Sequence, residues 1–145
     1  MHAREVLETC LYATDLDAAE RFYREVLGLE PFARVEGRHV FFRCGGRVFL
    51  VFNPERTLEP AAGAGIPTHG ARGPGHVCFA ARDDEIPAWR AHLERHGVEV
   101  ESDFTWPGGG RSLYFRDPAG NSLEVGTPAI WGIPESTLSP RPGPR

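Results

Sequence analysis

The chain has 145 residues and a mass of 16.0 kDa, the size of one domain. Its 41% hydrophobic and 25% charged residues fit a globular chain that holds a core without disulfides. A formal net charge of −4 leaves no basic footprint for nucleic acid, and apolar runs such as Val48–Phe52 fall far short of the ~20 residues a membrane-spanning helix needs.

In chain order, alternating apolar positions after Glu8 predict a strand. Asp15 is placed to cap a helix whose apolar stripe is Leu16, Ala19, Phe22, Tyr23, Val26 and Leu27, and Gly28 stops it. GRHVFFR at 37–43, the turn CGG at 44–46 and RVFLVFN then read as a β-hairpin. Residues 54–73 are rich in Gly, Pro and Ala and read as a long connecting loop. From His76 the pattern begins again. A strand is followed by a capping Asp83, a helix carrying Ile86, Trp89 and Leu93, and a stop at Gly97; GRSLYFR at 110–116, the turn DPAG and the strand NSLEVGT complete it. This is an internal repeat. It predicts an α+β fold of two βαβββ modules, about 5–53 and 74–127, within a single domain spanning 1–130. The Pro-rich stretch 131–145 reads as a loose tail or a strap on a partner.

All 16 basic residues are arginine, which removes a Schiff-base lysine, a lysine general base and a P-loop lysine. Cys10, Cys44 and Cys78 are too few and too far apart for a disulfide framework or a CxxC zinc site. No charged start runs into an apolar stretch as in a signal peptide, so the expected compartment is the cytoplasm.

Strand alternation assigns faces. Val40, Phe42, Leu113, Phe115, Leu123 and Val125 read as core. Glu8, Cys10, His39, Phe41, His76, Cys78, Ser112, Tyr114 and Glu124 fall on the opposite faces. Two modules paired about a pseudo-twofold axis would enclose a cavity in an open mixed-sheet barrel. Glu8, His76 and Glu124 would then supply three ligands to a divalent ion and leave positions for substrate, a donor set suited to Mn, Fe, Ni or Zn. His39 and Ser112, equivalent in the repeat, would line the pocket. So would Trp106, in a flap with the Pro107-Gly-Gly-Gly run. Arg38 and Arg111 would hold an anionic group. Cys10 and Cys78 read as small packed residues.

At these residues the chain resembles the vicinal oxygen chelate superfamily, which includes glyoxalase I, extradiol dioxygenases, fosfomycin-resistance enzymes and bleomycin-resistance proteins. LETCLYATDLDAAERFYREVLGLE, GHVCFA and SLYFRDPAGNSLE carry the resemblance. It implies paired βαβββ modules around a metal, with ligands at His76, Glu124 and Glu8, the last in place of the usual His. Leu50 stands at the position of a fourth ligand, which argues against glyoxalase I activity. Fosfomycin enzymes use lysine among the groups that grip the phosphonate, and this chain has none, which ranks that activity lower. Leu113-Tyr114-x-x-Asp117-Pro118-x-Gly120-x-x-x-Glu124 resembles part of the extradiol dioxygenase signature and implies that Tyr114 hydrogen-bonds the substrate, with His69 as a stand-in acid–base group.

The expected function is a metal-dependent lyase, isomerase or ring-cleaving dioxygenase acting on a small substrate with neighbouring oxygens. Glu124 would double as base. The resemblance also implies a homodimer, with modules paired within a chain or exchanged between two. The rival is a metal-free protein that sequesters a drug or metabolite, as bleomycin-resistance members do.

Overall fold

The computed structural model describes residues 1–60 and 65–140; residues 61–64 of the expected linker and 141–145 of the expected tail lie outside the described residues. The first module contains β1 (Glu8–Tyr12), α1 (Leu16–Glu25), β2 (Glu30–Val35), β3 (His39–Cys44) and β4 (Arg47–Phe52). Its sheet has the order β1-β4-β3-β2, with β1 parallel to β4 and the other neighbours antiparallel. After α2 (Pro54–Leu58), the second module contains β5 (His76–Ala80), α3 (Ile86–Arg95), β6 (Ser102–Thr105), β7 (Arg111–Arg116) and β8 (Ser122–Gly126). Its order, β5-β8-β7-β6, repeats the first. Register confirms the internal alignment: Phe41 pairs with Leu50 as Tyr114 pairs with Glu124. The α+β fold of two βαβββ modules is the one the repeat predicts.

Contacts divide the chain into two compact units. One is Met1–His76 with Asp117–Asn121; the other is Val77–Arg116 with Ser122 onward. In the first, Asp15 accepts a hydrogen bond from the Ala18 amide (2.9 Å) and starts α1. Leu16, Ala19 and Tyr23 are its buried residues, and Gly28, at φ 64°, ends the helical run in a conformation that favours glycine. Tyr23 packs against Phe42 and Phe49.

The Tyr23 hydroxyl donates to Asp117 Oδ2 (2.6 Å). Asp117 also accepts from the amides of Ala119 and Asn121 and from Asn121 Nδ2. Asn121 in turn donates to the Tyr12 carbonyl (3.0 Å) and accepts from the Gly75 amide (2.8 Å). A Cβ at Gly75 would lie 2.6 Å from Leu11 Cδ2, so the chain approaches closely only because no side chain is there. The turn that the sequence marks only as punctuation is therefore a buried polar knot.

In the second unit, Ile86, Leu93, Leu113, Phe115, Leu123 and Val125 form the core. Three local expectations are corrected. Asp83 does not cap α3: one 3-10 turn, Asp83–Glu85, precedes it, and Pro87, lacking an N–H, suits the first helical turn. The expected loop at 54–73 opens with α2, capped by the Asn53 side chain on the amides of Glu55 and Arg56. The tail as far as residue 140 is not loose. A 3-10 turn spans Pro128–Trp131, and Glu135 Oε1 accepts from the Asp83 amide (2.7 Å) while Arg82 donates to the carbonyls of Glu135 and Ser139.

Tyr23→Phe removes one donor from a buried carboxylate. We expect about 1–3 kcal/mol of lost stability, read as a lower urea midpoint with an unchanged m-value.

Candidate functional site

The face of the second sheet turned away from its core carries the polar residues. Glu124 on β8 is 4% exposed and Ser112 on β7 is fully buried. Ser112 Oγ donates to Glu124 Oε1 (2.5 Å) and accepts from the Trp106 indole Nε1 (2.9 Å). Tyr114 neighbours Glu124 in register. Burial, then the Glu124 charge, raises its phenol above the ordinary range, so it stays protonated and able to donate. On β5, Cys78 retains exposed surface, yet packing around its sulfur, then the charge of Glu124, pushes the thiol up to about 12. A Cβ on Gly126 would lie 2.9 Å from both Cys78 Sγ and Glu124 Oε1. Cys78 is an exposed residue whose protonated thiol neighbours the carboxylate, not the small buried packing residue its pattern suggests. His76 is exposed at the head of β5, the strand beside β8.

The corresponding face of the first sheet is aromatic. His39 stacks on Phe41 (centroids 4.0 Å, planes 9° apart) and lies edge-on to Phe52. Its Nδ1 is buried and has no hydrogen-bond partner among the described residues. Burial, then the Arg38 charge, lowers its pKa, so the ring is neutral at pH 7. His69 Nδ1 is 2.8 Å from the Tyr12 hydroxyl, and its ring lies edge-on to Phe52. Leu50, at the fourth-ligand position, is buried on this sheet. Glu8 is exposed at the start of β1.

Arg111 does not face this polar surface. It shares a side of β7 with the core residues Leu113 and Phe115, and it is bidentate to Asp103 (2.6 Å to each oxygen), which also binds Arg90 of α3. Strand alternation puts it on the helix side, where it joins an ion-pair network. Arg38 donates to the backbone carbonyls of Arg56 and Glu59. Ser112 and Trp106, expected to line a pocket, are bonded to each other, and Ser112 is bonded also to the carboxylate.

Among the described residues, no three His, Cys, Asp or Glu side chains gather closely enough to hold a metal ion. The donor chemistry of the second sheet nevertheless fits a borderline divalent cation: one imidazole and one buried carboxylate project from adjacent strands.

A family model described as Glyoxalase/Bleomycin resistance protein/Dioxygenase superfamily matches residues 5–125. The chain belongs to this superfamily. A crystal structure of lactoylglutathione lyase from Agrobacterium tumefaciens is 46% identical, with a TM-score of 0.87 over 90% of this chain and 98% of that one. The metallothiol transferase FosB of Bacillus licheniformis is 26% identical over 119 residues, 81% of this chain and 71% of the transferase. An integron cassette protein from the mobile metagenome of V. cholerae is 26% identical, with a TM-score of 0.68 over 88% of this chain and 97% of that one. No helix among the described residues of this superfamily member is long and apolar enough to cross a membrane.

The lowered pKa of His39 has a signed consequence. The unfolded ring binds a proton more readily than the folded one, so its contribution is complete above about pH 6.5 and is lost as pH falls from there toward the folded value. Thermal midpoints measured between pH 8 and 5 should fall on acidification, and His39→Phe should flatten that slope.

Proposed function

We propose that this superfamily member is an enzyme that holds one divalent ion of the Mn, Fe, Ni or Zn group and acts as a lyase or isomerase. Its substrate is a small molecule with oxygens on neighbouring carbons. Glu8, His76 and Glu124 are the proposed ligands. The observation that carries the reading is Glu124: a carboxylate 4% exposed on a sheet face, surrounded by groups that orient it, beside the strand that begins with His76. The 46% identical relative named lactoylglutathione lyase favours the lyase type over ring cleavage, even with Leu50 at the fourth position. Lactoylglutathione carries a carbonyl and a hydroxyl oxygen on adjacent carbons, the pattern this site is proposed to take.

When bound, such an ion supplies Lewis acidity toward two adjacent oxygens. The chain's own residues do the rest. Glu124, held at Oε1 by Ser112, takes a proton from one carbon and returns it to its neighbour. The Tyr114 phenol, kept protonated by its surroundings, donates a hydrogen bond to the oxygen on which negative charge grows. Oxidant is not consumed, because the proton and electron pair move only between adjacent carbons.

Glu8 completes the ligand set from the same chain or, if modules are exchanged in a homodimer, from a second copy. Metal analysis of protein purified without chelator should give close to one ion per chain, lost in His76→Ala and Glu124→Ala. Absence of metal, with none taken up on titration, overturns the reading in favour of a sequestering protein. Mixing Glu8→Ala with Glu124→Ala, after unfolding and refolding together, restores binding only if modules are exchanged, since one intact site then forms in each mixed dimer.

A further inference from the structure

Trp106 sits in the turn between β6 and β7, and the turn is closed on itself. The Trp106 amide donates to the Gly110 carbonyl (3.0 Å) and the Gly109 amide to the Trp106 carbonyl (2.9 Å). Phe104 packs edge-on to the indole, with centroids 5.0 Å apart. The indole N–H points inward to Ser112 Oγ, although the residue itself is 38% exposed.

An indole nitrogen can only donate, and a hydroxyl has one proton. A carboxylate can only accept, so the serine proton goes to Glu124 Oε1, at 2.5 Å, while Trp106 donates to the same hydroxyl oxygen at 2.9 Å and Tyr114 also hydrogen-bonds Ser112. The direction of the chain is thereby fixed: indole to hydroxyl to carboxylate. Ser112 is fully buried, so water does not compete for its proton. The indole N–H seats the hydroxyl oxygen beside the carboxylate, and without it the serine loses one of the contacts that hold it there.

We propose that Trp106 and Ser112 are positioning residues that lock the Glu124 carboxylate for metal binding through this one-way relay. The β6–β7 turn is thereby coupled to occupancy of the site. The inference rests on the reading of Glu124 as a ligand and adds what orients it. Partners that orient metal ligands typically contribute about 10- to 100-fold in affinity.

The test is titration of metal-free protein with Mn²⁺ or Zn²⁺ by calorimetry, for wild type, Trp106→Phe, Ser112→Ala and Glu124→Ala. Trp106→Phe keeps an aromatic ring at the turn and removes the donor. Both relay variants should bind about 10- to 100-fold more weakly, and the double variant should be no weaker than Ser112→Ala alone, because the indole acts only through the hydroxyl. A Trp89→Phe, Trp131→Phe background leaves Trp106 as the sole tryptophan. Its emission should change on metal addition, and Ser112→Ala should abolish that response. If Glu124→Ala binds as wild type does, the reading of Glu124 as ligand fails. If Glu124→Ala loses the metal while Trp106→Phe and Ser112→Ala bind as wild type does, the relay alone is overturned. A variant that fails to fold is recognised by its near-UV dichroism, and Ser112→Thr, which keeps the hydroxyl, then serves in its place: it should retain the emission response, and loss of that response overturns the relay.

Discussion

Asp117 is the constraint on which the rest of this chain depends. It is 5% exposed, and a carboxylate so placed is tolerated only when its oxygens are satisfied. They are: Tyr23 reaches it from α1, and the amides of Ala119 and Asn121 and the Asn121 side chain reach it from its own turn. Through Asn121 the same knot holds the Gly75 amide and the Tyr12 carbonyl. Gly75 immediately precedes His76, and Asn121 immediately precedes the strand that carries Glu124. The residues that immediately precede β5 and β8 are thus hydrogen-bonded to one another before either strand presents its ligand candidate.

Much of this was legible in the sequence, because it depends on period and repetition. The two modules, the buried faces of β3, β7 and β8, and the turn at Gly28 follow from local spacing. What escaped depends on contacts distant in sequence. Tyr23 read as one more apolar residue of a helix; its hydroxyl finds a partner 94 residues away. Glu135 lies in a segment whose composition suggests disorder, yet its carboxylate takes the Asp83 amide, a donor at the start of a helical turn that has no intrahelical acceptor. Arg111 is different: alternation with Leu113 already placed it on the helix side, and its equivalence with Arg38 obscured a conclusion the strand period supplied.

The repeat also shows where the modules have diverged chemically. At equivalent positions the first sheet has His39, Phe41 and Leu50, and the second has Ser112, Tyr114 and Glu124. On the first sheet these positions form an aromatic surface with a neutral, stacked imidazole. A carboxylate at Leu50 would be buried beside Phe41 with no serine hydroxyl at the His39 position to orient it. Desolvation would disfavour its charge. The fourth-ligand position is therefore apolar in keeping with its whole surroundings, not by an isolated substitution.

Turn length explains the asymmetry further. In the first module the Arg38 amide closes directly onto the Val35 carbonyl, a tight four-residue turn. The second module spends a longer turn, Trp106 to Gly110, with Gly109 and Gly110 at φ 99° and 88°, in the backbone region that favours glycine. A side chain at Gly110 would also meet Ile130 at 2.6 Å. Those glycines let the chain fold back so that an indole at the turn's entrance reaches a serine on the adjoining strand. The first module has no residue able to make that approach. The longer turn and the buried carboxylate are thus parts of one arrangement, in which the extra residues supply the donor that keeps Glu124 in place.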